Sequence, residues 1–256
     1  NGFEKLIKII KLVKKYNINL ELAINSNINL KTVDVDECYL WCKNNNIKVN
    51  TIVTFNHLIS YTKFLFGNDI KYICSYNQNL RKYEDLYKIS NLFDEVVIGN
   101  NFIRDTTAFF ILKERGFKIR LLLNNGCSHN CLWCSSGNSK YCDDIFKNNL
   151  NKRTIEELIA EQSVFPNEIF EFYEKIGLID SYKLSSRGIE NDTFKRIIKV
   201  YFDNNFNYND VNDVSATMLL NNISKYTHKN FNNIDLDKII NIKDNLINNE
   251  IKKIEV

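Results

Sequence analysis

The sequence predicts an α/β protein, a TIM-like (β/α) barrel incomplete at its N-terminus and carrying a C-terminal helical appendage. Three observations predict it. Apolar residues switch repeatedly between a helical period and short strand-like runs. The connections between those runs are long enough for the helical crossovers that parallel strands need. With 256 residues and 44% hydrophobic content, the chain can also bury a core of barrel size.

The elements follow in order. Residues 2–16 read as a helix with Leu6, Ile9, Ile10 and Val13 on one face, running into a strand at 20–24. Helix 36–44 then leads to strand 49–55, helix 57–66 to strand 70–75, helix 82–92 to strand 95–98, and helix 106–116 to strand 119–123. A long helix over 154–175 leads through Gly177 to strand 181–185, and 192–202 is helical again. The first helix has no strand before it, so the barrel reads as incomplete here, with two explanations open: the sequence starts after the first strand, or a protein partner or oligomer completes the barrel. Residues 1–203 read as the barrel domain, with a cysteine-loop insertion at 124–150. Residues 204–256, polar and Asn-rich with a helical pattern at 234–247, read as a C-terminal helical extension.

Composition narrows the function classes. A net charge of +3 makes no strong case for a nucleic-acid or membrane partner. No apolar run approaches the roughly 18 to 20 residues of a membrane span, and the start lacks the order of a secretory signal. Seven cysteines is an odd number in a chain too long to need disulfides, which points to a reducing, cytoplasmic setting with free or metal-bound thiols.

Four of those cysteines, Cys127, Cys131, Cys134 and Cys142, fall within sixteen residues, directly after the strand at 119–123. Gaps of three and two residues let one tight loop aim several thiolates at a common point, so the cluster reads as a metal site. All-sulfur ligation suits an iron–sulfur cluster or zinc. Structural zinc usually takes two C-x2-C halves across a longer span, and the compact C-x3-C-x2-C-x7-C loop fits a 4Fe–4S cluster better. If Cys142 is a ligand the centre is closed; if it is free, one iron is open to a substrate. Cys38 and Cys42, one helical turn apart, and Cys74 in a strand read as buried free thiols.

In parallel barrels function collects where strands end. The strand ends here carry Asn25, Asn56, Asn77, Asn100 and Asn124, the candidate substrate-binding residues, on the face that also carries the cysteines. Each has a plainer reading as turn chemistry. His57 and His129 lie near the same face, and His129, inside the cysteine loop, is a candidate proton carrier.

Two resemblances meet at the cysteines. The C-x3-C-x2-C spacing, with Trp133 just before the third cysteine, resembles the cluster motif of radical SAM enzymes, which implies a 4Fe–4S cluster and S-adenosylmethionine as cofactors. More broadly, the order of the segments 20–25, 72–77, 94–98 with Arg104 and Asp105, 121–127 and 182–188 is similar to the collagenase-like (U-32 type) peptidase family. That resemblance implies an iron–sulfur barrel in which Cys127, Cys131, Cys134 and Cys142 are ligands and Arg187 is an anion or substrate contact, making Arg187 and His129 the candidate catalytic residues. Nothing in the chain resembles a peptidase nucleophile with an adjacent His and acid, so peptidase activity is doubted.

The expected function is therefore an iron–sulfur barrel enzyme performing redox, hydroxylation-type modification of a small molecule, cofactor precursor or RNA nucleotide, with an electron donor as partner. Two alternatives stand beside it: a radical SAM enzyme, and a zinc-stabilised binding module without enzymatic activity.

Overall fold

The computed structural model describes residues 2–16, 18–25, 30–78, 80–124, 126, 142–185, 189–202, 216–229, 231 and 233–254. Six strands, β1 (Glu21–Ala23), β2 (Thr51–Thr54), β3 (Lys71–Cys74), β4 (Glu95–Ile98), β5 (Lys118–Leu122) and β6 (Ser181–Lys183), form one sheet in sequence order. The pairings β1–β2, β2–β3, β3–β4 and β5–β6 are all parallel, with Leu22 opposite Ile52, Val53 opposite Ile73, Cys74 opposite Val96 and Leu121 opposite Tyr182. Every residue of β2 and β4 is buried, as expected of parallel strands covered on both faces, whereas no residue of β1 or β6 is.

The helices are α1 (Gly2–Lys15), α2 (Thr32–Asn44), α3 (Ile59–Phe66), α4 (Tyr83–Tyr87), α5 (Thr106–Glu114), α6 (Cys142–Lys152), α7 (Ile155–Gln162), α8 (Pro166–Glu168), α9 (Glu174–Ile176), α10 (Asn191–Phe202), α11 (Thr217–Thr227) and α12 (Leu236–Ile254). Each crossover that the periodicity predicts is present, so the α/β class and the parallel sheet stand.

Two of the predicted helices are interrupted, each for a visible reason. The helix expected at 82–92 stops at Tyr87, and the chain turns at Ser90, whose N–H donates to Asn56 Oδ1 (2.7 Å) rather than to a carbonyl of a preceding turn. The single helix expected at 154–175 is broken after Gln162. Pro166 cannot donate, and it drives the residue before it out of the helical region: Phe165 is extended at φ −82, ψ 152. The chain then re-enters a helix at Pro166, passes through a π-helical turn at Ile169–Tyr173 and ends at Gly177, which is left-handed (φ 64).

The chain divides into two compact units, residues 1–78 with 89–96 and residues 79–88 with 97–256. In the first, Ile52, Phe55, Ile59, Tyr72 and Ile73 are almost wholly buried. In the second, α11 and α12 are core elements: Ala216, Leu219, Ile223 and Ile239 are buried together with Phe146 of α6 and with Leu158, Ile159 and Ala160 of α7.

Candidate functional site

In the second unit the end of β5 is fixed from three sides. Leu123 N–H donates to Lys183 O (3.0 Å), and Val164 N–H donates to Leu123 O (3.0 Å). Asn124 is fully buried and forms an isolated bridge with Ser163. Its carboxamide closes a reciprocal pair with the backbone of Ser185: Nδ2 donates to the carbonyl (2.5 Å) and Oδ1 accepts from the N–H (2.6 Å). Two residues on, buried Gly126 accepts from Asn222 Nδ2 of α11 (2.5 Å).

Beside this strand end lies a buried ionic network. The break at residues 163–165 leaves the last carbonyls of α7 without helical partners. Two cations take them. Arg104 donates to Glu161 O (3.3 Å) and Ser163 O (2.8 Å), and Lys243 of α12 donates to Ala160 O (3.3 Å) and Ser163 O. Both converge on Glu168: Arg104 bidentately (2.7 and 3.0 Å) and Lys243 at 2.6 Å, while Phe165 N–H also donates to Oε1 (2.7 Å). The Lys243 ammonium lies 4.1 Å from the centre of the Phe165 ring.

Arg104, Glu168 and Lys243 are 6%, 1% and 2% exposed, so this is a network of three charges taken out of water. Burial pushes the Glu168 carboxyl up, but Arg104 and Lys243 outweigh it and hold it below the usual carboxylate range. Burial and then the neighbouring Arg104 charge lower the Lys243 ammonium to about 7, against the pull of Glu168. The network meets the β5 end through Ser163, whose carbonyl takes both cations and which bridges to Asn124.

The sequence-predicted residues fall as follows. Cys127, Cys131, Cys134, His129 and Arg187 lie outside the described residues. Cys142 is the first residue of α6; its side chain, like those of Asn77 and Asn100, is also outside them. Asn25, Asn56 and Asn77 belong to the first unit, and Asn100 and Asn124 to the second. Asn25 Nδ2 donates to Ser75 Oγ (2.8 Å), tying the ends of β1 and β3, and Asn56 accepts from Ser90 as described. Asn77 and Asn100 each lie in a 3-10 turn directly after a strand, Tyr76–Gln78 and Asn100–Phe102. His57 Nε2 is 3.1 Å from Leu30 O, and its ring stacks on Phe55.

The remaining cysteines are free thiols. Cys42 and Cys74 are buried, and burial raises them to about 11 and about 12 respectively; burial also raises Cys38, with Asp34 and Glu37 adding to it. Among the described residues no group of three His, Cys, Asp or Glu side chains is arranged to hold a metal ion, and no helix is long and apolar enough to cross a membrane. Asn222, Glu168 and Lys243 were not anticipated from the sequence. The signal available for Lys243 was a charged residue on the same helical face as the apolar Ile239 and Ile247.

No family model matches the chain, and no curated protein matches it. Among solved structures, that of the U32 peptidase Mk0906 is similar at 12% identity and a TM-score of 0.47, over 70% of this chain and 74% of that one. The expectation of an iron–sulfur oxidoreductase or radical-type modifying enzyme, with peptidase activity doubted, is corrected at this point. The similar structure is that of a peptidase, and the oxidoreductase assignment is not carried forward.

Proposed function

We propose that this chain is a metal-binding, U-32-like barrel protein whose centre is held by Cys127, Cys131, Cys134 and Cys142 just beyond the end of β5. The observation that carries this reading is the anchoring of both flanks of the cysteine segment. Gly126 is bonded to α11, and α6, which begins at Cys142, stacks Phe146 on Tyr226 of the same helix (5.6 Å between ring centres).

The donor set fits such a group. Four thiols in a compact loop match a 4Fe–4S cluster in preference to zinc, and a cysteine at the first position of a helix is a favoured place for a thiolate. A centre with four protein ligands is closed and braces the loop. The strand end beside that loop is then the place for a small-molecule or nucleotide ligand, in keeping with where parallel barrels bind, with Asn124, buried and paired to Ser185, holding the backbone there rather than meeting the ligand. The free thiols of Cys38, Cys42 and Cys74 fit a reducing compartment, the cytoplasm.

Purification without oxygen, followed by an absorption spectrum and iron, sulfide and zinc analysis, tests the proposal. Bound iron with equivalent sulfide supports the cluster. Zinc without colour replaces the metal but keeps the site, and a protein free of both overturns it. Peptidase activity is assayed on the same samples with a denatured protein substrate, with and without chelator.

A further inference from the structure

A cleft with a volume of about 310 Å³ opens beside the connection from β4 to α5, entirely within the second unit. Parallel sheets bind their ligands past the C-terminal ends of their strands, and this connection is such a place. Charges of both signs line it, Asp105, Glu161 and Glu250 against Arg104 and Arg153, and Ile103 and Leu246 add an apolar part. Asp105 and Glu250 meet at the first turn of α5. Asp105 caps that helix by accepting from Ala108 N–H (3.1 Å), and Glu250 of α12 accepts from the Thr106 N–H (3.2 Å) and hydroxyl (2.9 Å). The helix terminus that would otherwise draw a phosphate is therefore already occupied by two carboxylates. We infer that the cleft binds a small zwitterion, an aliphatic amino acid or a short peptide with both ends free.

The charges differ in what they have left to offer. Arg104 is buried and committed to Glu168 and to the carbonyls of Glu161 and Ser163, so it serves as wall rather than as ligand contact. Arg153, directly after α6, is 32% exposed and gives Nη1 to Glu161 Oε2 (2.6 Å). Its Nε and Nη2 donors have no partner among the described residues, and that edge of a guanidinium matches a carboxylate bidentately. Glu161 is equally exposed, and burial pushes its carboxyl up even with Arg153 beside it, so it is short of positive charge. A carboxylate has about four acceptor sites. Asp105 accepts from Ala108 and Tyr83, and Glu250 from Thr106 and Lys253, which leaves both with capacity for an ammonium. A ligand of one sign would leave the opposite wall unmatched, whereas a zwitterion answers both. Ile103 and Leu246 then leave an aliphatic side chain as its remainder.

Isothermal titration calorimetry of the whole chain tests this with L-leucine, leucyl-leucine, leucinamide and isocaproate. No metal is involved, so the result is decided apart from the metal reading above. L-leucine or leucyl-leucine is expected to bind about 10-fold tighter than either singly charged analogue, and the tighter of the two identifies the source as free amino acid or peptide. Arg153→Met is expected to weaken that zwitterion about 10-fold without weakening leucinamide, which has no carboxylate. Glu250→Gln, whose amide oxygen still accepts from Thr106, is expected to weaken leucinamide and the zwitterion but not isocaproate. A merely structural role for either residue would move every ligand together. No binding of either zwitterion up to about 10 mM, equal affinity for a singly charged analogue, or loss of leucinamide binding in Arg153→Met overturns the inference.

Discussion

Asn124 and Ser185 hold each other in both directions: the Asn124 carboxamide donates to the Ser185 carbonyl at 2.5 Å and accepts from its N–H at 2.6 Å. A side chain here substitutes for the ladder that would otherwise continue from β5 to β6. Asn124→Ala leaves both Ser185 backbone groups without that partner in a part-buried setting, at a cost of about 1 kcal/mol. Urea unfolding at neutral pH measures it. A change below about 0.5 kcal/mol would show that water replaces the amide without loss.

The buried network makes an ordered prediction. Glu168→Gln leaves Arg104 and Lys243 as two buried cations without their anion and is expected to destabilise by about 3–5 kcal/mol. Lys243→Met leaves the bidentate Arg104–Glu168 pair intact and replaces an ammonium with an apolar chain of similar length against Phe165, so it is expected to cost clearly less. Denaturant midpoints rank the two, and the reverse order would contradict the assignment of Glu168 as the hub.

Lys243 also sets a pH dependence. Its folded value, lowered to about 7, lies below its ordinary value of 10.5, so above pH 7 the unfolded chain binds more protons at this site than the folded one. Stability contributed by this group therefore rises as pH increases from about 7 toward the ordinary lysine range and is lost as pH falls back through 7. The difference in unfolding free energy between wild type and Lys243→Met, measured from pH 7 to 9, is expected to shift in favour of wild type. A flat difference would mean that the lysine stays charged throughout.

The thiols separate by reactivity. Cys42 and Cys74, raised by burial to about 11 and about 12, are overwhelmingly protonated at pH 8. Iodoacetamide treatment of the folded protein with peptide mapping is expected to leave both unmodified, and prompt alkylation of Cys74 would contradict its place in the core of β3.

Much of the fold was legible because parallel strands and their crossovers leave strong periodic signals: β4 falls at 95–98 as predicted, and β2, β3 and β5 within a residue or two of their predicted ends. The breaks were harder to read. Pro166 was visible as a residue, but the run of apolar positions on either side of it continued a helical pattern that its backbone chemistry overrules. α11 was missed because its Asn-rich sequence looks polar, although Leu219, Ile223 and Thr227 form a buried stripe at four-residue spacing. Of the candidate site, the cysteine spacing marked the segment. Asn222, which bonds the Gly126 carbonyl before it, is distant in sequence and ordinary in type, so no local pattern identifies it.

The most direct test of the central claim is metal content in wild type, Cys131→Ala and Cys142→Ala purified without oxygen. Four thiolate ligands predict about four irons and matching sulfide in wild type, with loss of the centre in both variants. A colourless, metal-free wild type, or full retention of iron in Cys131→Ala, would contradict the assignment of this loop as a metal site.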